Sequence, residues 1–390
     1  MGEGTSLQRS DRIVIAKGPG RLNGLLAAFL IASVVLLLGS LTLRMPQVAL
    51  AASLKGLAVW WDVLFPALFP FFVLSELLLG LGIVHLTGTL LDPLMRPLFR
   101  IPGVGGFVVA MGFASGYPVG AKLTSRLMEE KLVNRSEGER LVAMTTSSDP
   151  IFLIGAVCIG FFGRSDIVPV LAAAHYGGAM LLGFMLRWTG SRKNVDGPEE
   201  LPSDVKSRKD RKGKPTGGIV ARAFAAMRQA RAADGRPFSI MLQQSLQSSI
   251  QLMIVVGGLV VFFSATLELL LHSGLLSGLR DLLAWLMPLL GLSPHLADSI
   301  VRGAFEVTLG ANAAAAGSLS SAAASSPPLI DQVAAAAFVL SWAGLSVHAQ
   351  VAGLMSRTSW RYLPFLRARL IHGVLAVLLV YLLWPYLYSG

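Results

Sequence analysis

Two stretches of this 390-residue chain decide its fold: Gly112-Phe-Ala-Ser-Gly-Tyr-Pro-Val-Gly-Ala-Lys122 and Gly303-Ala-Phe-Glu-Val-Thr-Leu-Gly-Ala-Asn312. Each interrupts an apolar region with glycines and polar side chains, and each ends in Gly-Ala followed by a polar residue. Irregular backbone is tolerated at membrane depth only where protein buries it or where it lines a cavity. The sequence therefore predicts two broken helical segments, one in each half of the chain, that line an internal cavity.

The composition is that of an integral membrane protein. The chain is 54% hydrophobic and only 14% charged, whereas soluble domains carry about 25% charged residues. Several apolar stretches reach the roughly 20 residues that a helix needs to cross a bilayer. We therefore expect an all-α polytopic membrane protein, with the lipid bilayer as its first partner.

The net charge of +11 does not indicate nucleic-acid binding. The basic residues lie in loops beside apolar segments, as the positive-inside rule expects. Cys158 is the only cysteine, which excludes an intramolecular disulfide and argues against a structural zinc site, so we expect it to pack in the core. The apolar run after the basic N-terminal arm is longer than a usual signal-peptide core, and we expect an uncleaved first helix.

Seven apolar stretches are predicted to cross the membrane. The stretch 57–81 contains Pro66 and Pro70, which predict a kink. Two amphipathic pieces, 90–98 and 276–289, each lead into one of the broken segments. The predicted crossings are residues 24–43, 57–81, 141–162, 168–186, 240–265, 333–355 and 371–387.

The distribution of Lys and Arg predicts the topology. All the strongly basic regions, including a last loop with Arg367 and Arg369, fall on the cytoplasmic side if the broken segments are re-entrant. The two halves then have the same order of elements and opposite orientation, as inverted repeats do. The alternative is that both broken segments cross fully. The predicted organisation is residues 1–50 (basic arm and first helix), 54–190 (first repeat), 191–236 (linker) and 237–390 (second repeat).

The linker 191–236 is polar and rich in Lys, Arg, Gly and Pro. Such a composition predicts a flexible cytoplasmic tether. Residues 219–231 are open to a second interpretation, a basic amphipathic helix on the membrane surface.

Ionisable side chains in apolar segments are candidate functional residues, because a charge inside a bilayer is costly. Glu76, Asp149 and Arg302 are candidates for coupling or gating, and Glu306 is a candidate for substrate binding. A structural alternative for Arg302 and Glu306 is an ion pair across one helical turn.

The broken segments supply the other candidate substrate-binding residues. One predicted wall contains Ser115, Gly116, Tyr117 and Lys122. The alternatives are that Gly116 and Gly120 mark close helix packing and that Lys122 is an ordinary cytoplasmic lysine. The facing wall contains Glu306, Gly310 and Asn312. Polar groups at the flanks complete the predicted set: Ser147, Ser148, Ser346 and His348.

Catalytic signatures are absent from the sequence. It contains no P-loop, no paired-cysteine motif, no HExxH and no GxSxG, and we expect neither an enzyme nor a cofactor nor a metal site. A pair of broken segments in matching positions is typical of a transporter. Lys122, Arg302 and the N-termini of half-helices favour an organic anion, whereas Glu76, Asp149 and Glu306 favour a cation or coupling protons.

Several motifs in order resemble the sporulation integral membrane protein family of the YlbJ (SpoVV) type. They include Leu64-Phe-Pro-Ala-Leu-Phe-Pro-Phe-Phe-Val-Leu-Ser-Glu76, Ala114-Ser-Gly-Tyr-Pro-Val-Gly-Ala-Lys-Leu123 and Ser341-Trp-Ala-Gly-Leu-Ser-Val-His-Ala-Gln350. The resemblance extends from about residue 25 to the C-terminus. Two features depart from the pattern: Asp149, where a neutral residue is expected, and the long basic linker.

The resemblance implies two nucleoside-recognition (Gate) repeats and a role in endospore formation. It implies transport of dipicolinic acid, made in the mother cell, across the outer forespore membrane. The alternatives are a nucleoside or cation transporter of the Gate type and a membrane scaffold that recruits sporulation proteins. Homo-oligomers or other sporulation membrane proteins are possible partners.

Overall fold

A computed structural model describes residues 21–189, 218–319 and 327–388, and this part of the chain is helical with no strand. The chain divides into two units, Met1–Pro46 and Gln47–Gly390. The first unit contributes one described helix, α1 (Arg21–Arg44). It matches the predicted first apolar helix, residues 24–43. The all-α fold is therefore confirmed.

The second unit begins with α2 (Pro46–Ala58), which is followed by a π-helical segment, Val59–Leu64. Pro66, at the start of the next helix, has no N–H to donate to the carbonyl of Asp62. The irregular hydrogen bonding of the preceding turns fits that missing donor. The predicted kink within residues 57–81 stays a prediction; the structure shows the π-helical segment just before Pro66.

Two sets of helices follow, with the same order of elements in each. Each set contains an apolar helix, an amphipathic helix, two interrupted helical pairs and a last apolar helix. The first set is α3 (Phe65–Gly80), α4 (Ile83–Phe99), α5 (Val104–Ser115), α6 (Tyr117–Glu129), α7 (Arg135–Thr145), the π-helix Ile151–Phe161 and α8 (Val168–Leu186).

The helix α9 (Ile219–Asp234) precedes the second set. The second set is α10 (Phe238–His272), α11 (Ser277–Leu286) with a 3-10 turn Met287–Leu290, α12 (Leu296–Phe305), α13 (Val307–Leu319), α14 (Leu329–Trp342), α15 (Gly344–Met355) and α16 (Tyr362–Leu387). Both predicted amphipathic pieces are present, within α4 and α11.

The contacts between helices also come in matching pairs. Helix α6 packs against α15, and its counterpart α13 packs against the π-helix Ile151–Phe161. In the same way α7 contacts α16 and α14 contacts α8, while the equivalent pairs α3–α10 and α8–α16 contact each other. Exchanging the two sets leaves this pattern unchanged, which is what a two-fold repeat requires. Their opposite orientation in the bilayer stays a prediction.

Four described helical stretches are long and apolar enough to cross a membrane: Val168–Leu186, Phe238–His272, Leu329–Met355 (α14 together with α15) and Tyr362–Leu387. The number rises to six if each of two bent pairs is one span; one of these is Leu68–Gly80 with Ile83–Phe99, bent by 83°. The sequence predicted seven continuous crossings. The difference includes residues 141–162, where the helix is interrupted between Thr145 and Ile151.

Each half also contributes to the hydrophobic core of the other. Residues of α10, including Met253 and Val256, pack with the core of the first set. The π-helix Ile151–Phe161 and α8 pack with α12 to α16, and Cys158 is fully buried there, as predicted. Because the cores are shared, the two repeats form one folded unit rather than two separate domains.

The linker differs from its prediction. Ile219–Asp234 forms a helix that packs on α4, with Ala223 fully buried, so the unstructured tether is wrong for this stretch. The preceding linker residues up to 217 lie outside the described residues. The helix ends at Gly235, which adopts the left-handed conformation (φ 66°) typical of a helix C-terminus.

Candidate functional site

The first predicted broken segment is interrupted at Gly116, between α5 and α6. Its φ of 84° and ψ of −175° lie in a region that only glycine adopts without strain. A Cβ atom there would stand 3.0 Å from Asp149 Oδ2. The sequence therefore places glycine where the chain must change direction beside an acidic side chain.

The second predicted broken segment is interrupted at Glu306, which is extended between α12 and α13. Its carboxylate accepts a hydrogen bond from the N–H of Leu309 at 2.8 Å and from the hydroxyl of Thr308 at 3.2 Å. Glu306 therefore caps the helix that it precedes, where the positive end of the helix dipole favours negative charge.

Asp149 occupies a similar position in a third interruption, between α7 and the π-helix Ile151–Phe161. Its Oδ1 accepts a hydrogen bond from the N–H of Phe152 at 2.9 Å. A fourth interruption occurs at Ala343, between α14 and α15, where φ is 76°. Polar residues near both places were candidates from the sequence, but continuous crossings were predicted there, and the two interruptions show that this was wrong.

The interruptions surround a small cavity, here called the inner cavity. Its volume is about 30 Å³. It is lined by polar side chains that lie at the four interruptions or in the helices that follow them. Apolar residues of α3 and α10 complete the lining. The polar residues are Tyr117, Asp149, Glu306, Thr308, Ser346 and Gln350.

A much larger cavity of about 1030 Å³, here called the vestibule, lies between α3, α6, α9, α10 and α15. Val256 and Gln350 line both the vestibule and the inner cavity. The larger space therefore reaches the wall of the smaller one. Charged residues of the vestibule are Glu76, Lys122, Arg126, Glu129, Glu130, Asp234, Arg236 and Arg357.

Lys122 connects three helices in the vestibule wall. Its Nζ lies 2.7 Å from Glu76 Oε1 on α3 and donates a hydrogen bond of 2.9 Å to Ser248 Oγ on α10. Both charged side chains are about one-fifth exposed. A cation is therefore fixed at the edge of a space large enough for a small molecule, with a carboxylate as its present partner.

Most other cations of the vestibule are also paired. Arg126 pairs with Glu130 at 2.6 Å, and Arg236 pairs with Asp234 at 2.6 Å. The hydrogen bonds from Arg236 lower the pKa of Asp234 to about 2, so this pair stays charged at neutral pH. Arg357 is exposed and forms no ion pair with any residue in the described ranges.

A buried polar cluster that the sequence analysis missed supports the third interruption. Ser148 donates its N–H to His175 Nε2 at 3.0 Å, so the ring's Nδ1–H donates to Ser341 Oγ at 3.0 Å. The hydroxyl of Ser147 lies 2.9 Å from the same Nε2. His175 therefore joins α8 to two of the four interruptions, and its place in an apolar run gave no signal of this.

Arg369 completes that cluster. Its guanidinium donates to the carbonyl of Thr146, at the C-terminal end of α7, and to His372, whose Nε2–H donates to the carbonyl of His175 at 2.9 Å. The sequence assigned Arg369 to a basic loop, which is wrong: α16 begins at Tyr362 and the side chain is fully buried. A cation here is stabilised by the negative end of α7.

The remaining predicted residues are not all brought together. Ser115 is buried beside Gly116, but neither Ser115, Ser147 nor Ser148 lines the two cavities. Gly310 packs against Gly303, and Asn312 is exposed. His348 bonds to the hydroxyl of Tyr362 at 2.9 Å and the carbonyl of Trp342 at 3.1 Å, which is a structural role.

Arg302 pairs with residues other than the predicted one. It contacts Asp298 at 2.7 Å and Glu268 of α10 at 2.8 Å, instead of Glu306. Glu268 and Glu76 have the same local sequence, Glu-Leu-Leu-Leu, near the ends of the equivalent helices α10 and α3. The two repeats therefore carry matching glutamates, each paired with a cation.

One curated protein relates this geometry to a known family. The sporulation integral membrane protein YlbJ of Bacillus subtilis (strain 168) is 41% identical over 361 residues, which are 93% of this chain and 84% of the relative. The chain belongs to the YlbJ family. Residues 62–165 also match the Gate family, described as nucleoside recognition. No solved structure matches.

The Gate match of this YlbJ-family chain covers α3 to the π-helix Ile151–Phe161, and so includes Glu76, Lys122 and Asp149. It does not include the second repeat, whose likeness to the first rests on element order and contacts. As a sporulation integral membrane protein with a Gate region, the chain has the organisation of a membrane transporter.

Proposed function

We propose that this protein is a carrier of a small organic anion, and that its substrate is dipicolinic acid, moved across the outer forespore membrane during endospore formation. The vestibule is the observation that carries the proposal. Its volume of about 1030 Å³ is at the upper end of the roughly 300–1,000 Å³ found for small-molecule sites. Membership in a sporulation family supports the biological setting.

Lys122 is the residue that we assign to the substrate's carboxylate. It is held at the vestibule wall by Glu76 and Ser248, and a substrate carboxylate can replace Glu76 as its partner. Arg357 lines the same cavity and has no ion-pair partner in the described ranges. We assign it to the second carboxylate of a dicarboxylate substrate. Transport then requires that the vestibule closes and the opposite side opens, around the interrupted helices.

The test is uptake of radiolabelled dipicolinate by liposomes that contain the purified protein, with and without an imposed ion gradient. We expect uptake that saturates and that exceeds uptake by protein-free liposomes. A competition panel of unlabelled dipicolinate, a nucleoside and an organic cation identifies the substrate class. Competition by the nucleoside alone would replace the anion proposal with the nucleoside one suggested by the Gate match.

A scaffold that recruits sporulation proteins is the alternative from a different class. Correctly inserted protein without uptake of any solute in the panel would support it. Deleting residues 206–214 of the basic linker then separates the two functions. A carrier keeps most of its uptake after this deletion, whereas a scaffold that uses the linker loses its role in spore formation.

A further inference from the structure

The inner cavity is too small for the proposed substrate. Its volume of about 30 Å³ has room for roughly two species of the size of a water molecule. An aromatic dicarboxylate or a nucleoside does not fit there. Because the inner cavity adjoins the vestibule through Gln350 and Val256, its occupant is a separate, much smaller species that sits beside the substrate.

Two carboxylates face this cavity without a cation to pair with. Asp149 is 5% exposed and Glu306 is 2% exposed, and within the described ranges neither forms an ion pair. Each has a backbone N–H bonded to one oxygen, which compensates only part of the charge. Buried acids in membrane proteins are otherwise paired or lie on an ion pathway.

A third group in the cavity points independently to a ligand. Ser346 lines the cavity and is 1% exposed, and its buried Oγ has no hydrogen-bond partner within the described residues. A buried hydroxyl without a partner destabilises the folded protein, because it has lost its hydrogen bonds to water. Thr308 and Gln350 add two more oxygen atoms to the lining. The donor set is made of oxygen, the ligand atom of hard cations.

Other charged and titratable groups around the cavity do not neutralise the acids. Lys55 of α2 attracts Glu306 electrostatically, but it is exposed and forms no ion pair with it in the described residues. Tyr176 of α8 interacts electrostatically with Asp149 and carries no positive charge. Tyr117 of α6 lines the cavity, but its hydroxyl donates to the carbonyl of Leu340 at 2.9 Å. Arg369 of α16 interacts electrostatically with Tyr117. Its guanidinium donates a hydrogen bond to the carbonyl of Thr146 and not to either acid.

We propose that the inner cavity binds one Na⁺ ion, held by Asp149, Glu306, Thr308, Ser346 and Gln350. The ion supplies the positive charge that the two acids lack and the partner that the Ser346 hydroxyl lacks. A proton neutralises one acid but does not fill the cavity. A divalent ion would use more free carboxylate oxygens than two helix-capping acids provide.

The inference rests on the proposed carrier function and assigns its coupling ion. Gln350 lines both spaces, so an ion in the inner cavity and a substrate in the vestibule share one side chain. Binding of either is therefore expected to strengthen binding of the other by the same factor.

The first measurement is thermal unfolding of the purified protein in sodium chloride and in choline chloride at equal ionic strength. A ligand that binds only the folded state raises the melting temperature in a concentration-dependent way. We expect a saturable rise with Na⁺, lost in Asp149→Asn and in Glu306→Gln. Asp281→Asn, the same change at an exposed surface carboxylate of α11, should keep the full rise.

Ser346→Ala provides a variant that folds even if the acidic variants do not. The variant removes one ligand of the ion. We expect it to need a higher Na⁺ concentration than the unchanged protein to reach half of the rise in melting temperature. An equal rise with K⁺ or choline, a larger rise with Ca²⁺, or stabilisation that depends only on pH would overturn the proposal.

Binding and transport can fail separately. A Na⁺-specific rise without dipicolinate uptake would leave the ion site standing and refute the proposed substrate. Saturable uptake without any Na⁺ dependence, in protein that Na⁺ does not stabilise, would refute the ion site and leave the carrier function intact.

Discussion

Glu76 and Glu268 occupy the same place in the two repeats and bind different cations. Glu76 pairs with Lys122 on the broken helix α6 at 2.7 Å, whereas Glu268 pairs with Arg302 on α12 at 2.8 Å. The first pair borders a cavity of about 1030 Å³, and the second lines neither the vestibule nor the inner cavity. Of the two equivalent glutamates, Glu76 therefore holds its cation beside the vestibule, and Glu268 holds its cation elsewhere in the two-fold arrangement.

Replacing Lys122 by Ala should lower dipicolinate uptake at limiting substrate by about tenfold or more, because a hydrogen bond to a charged group contributes about 1.5–3 kcal/mol. Glu76→Gln removes the competing carboxylate and leaves the lysine, so uptake should be kept or increased. Arg280→Ala, which removes an exposed cation of α11, serves as the control. If Glu76→Gln abolishes uptake and Lys122→Ala does not, the substrate is a cation.

Breaking the ion pair between Arg302 and Glu268 should destabilise the folded protein. Arg302→Gln leaves Glu268 and Asp298 without their cation, and we expect a loss of about 1–2 kcal/mol, since the side chains are only partly buried. A lower melting temperature in detergent would be the readout. An unchanged melting temperature would show that the pair contributes nothing to the stability of the fold.

Gly116→Ala should cost roughly 1–3 kcal/mol, because its backbone region excludes other residues and the new Cβ would meet Asp149. Gly258→Ala is the matched control, since its Cβ has nothing within 4 Å in the middle of α10. The control should be neutral or slightly stabilising. Equal melting temperatures for the two variants would contradict the strain assigned to Gly116.

His175→Ala should cost about 2–4 kcal/mol, because it leaves the N–H of Ser148 and the hydroxyls of Ser147 and Ser341 without their buried partner. Thermal unfolding of the variant measures this loss. His295→Ala, at an exposed position, should have little effect. A similar small effect at both positions would mean that water replaces the imidazole.

The docking of α9 can be tested by placing a charge in its interface. Ala223→Glu puts a carboxylate against α4, where Ala223 is fully buried, and we expect the helix to detach because an unpaired buried charge is costly. Faster proteolysis within residues 219–234 is the measurement. Ala225→Glu, on the exposed face, should be cleaved at the rate of the unchanged protein.

The sequence was informative where one residue type has one physical explanation. Glycines and polar residues in an apolar run predicted the interruptions at Gly116 and Glu306, and the amphipathic pieces before them were correct. The acids Asp149 and Glu306 were also candidates from their cost in a bilayer. These predictions rest on short stretches of sequence. They hold because a broken helix or a charged group inside a bilayer can be accommodated in only a few ways.

Contacts between distant parts of the chain were not predictable from the sequence. His175 and Arg369 became important only because α8 and α16 pack together beside the end of α7. Asn312 matched Lys122 in sequence but is exposed, since the second repeat places its cation on α12 instead. A basic residue near a loop is also ambiguous, and burial alone distinguished Arg369 from its neighbours.

The repeats also limit how the chain can be rebuilt. A chimera made of two copies of the first repeat would have glycine twice at the first interruption and aspartate twice after α7, and would lose Glu306. In such a chimera both acids beside the inner cavity would be copies of Asp149. The ion pair between Lys122 and Glu76 would be present twice, once in each repeat. Gly116 and Glu306 therefore contribute different chemistry at the same point of the two repeats: a backbone conformation that requires glycine in the first, and a carboxylate that caps a helix in the second.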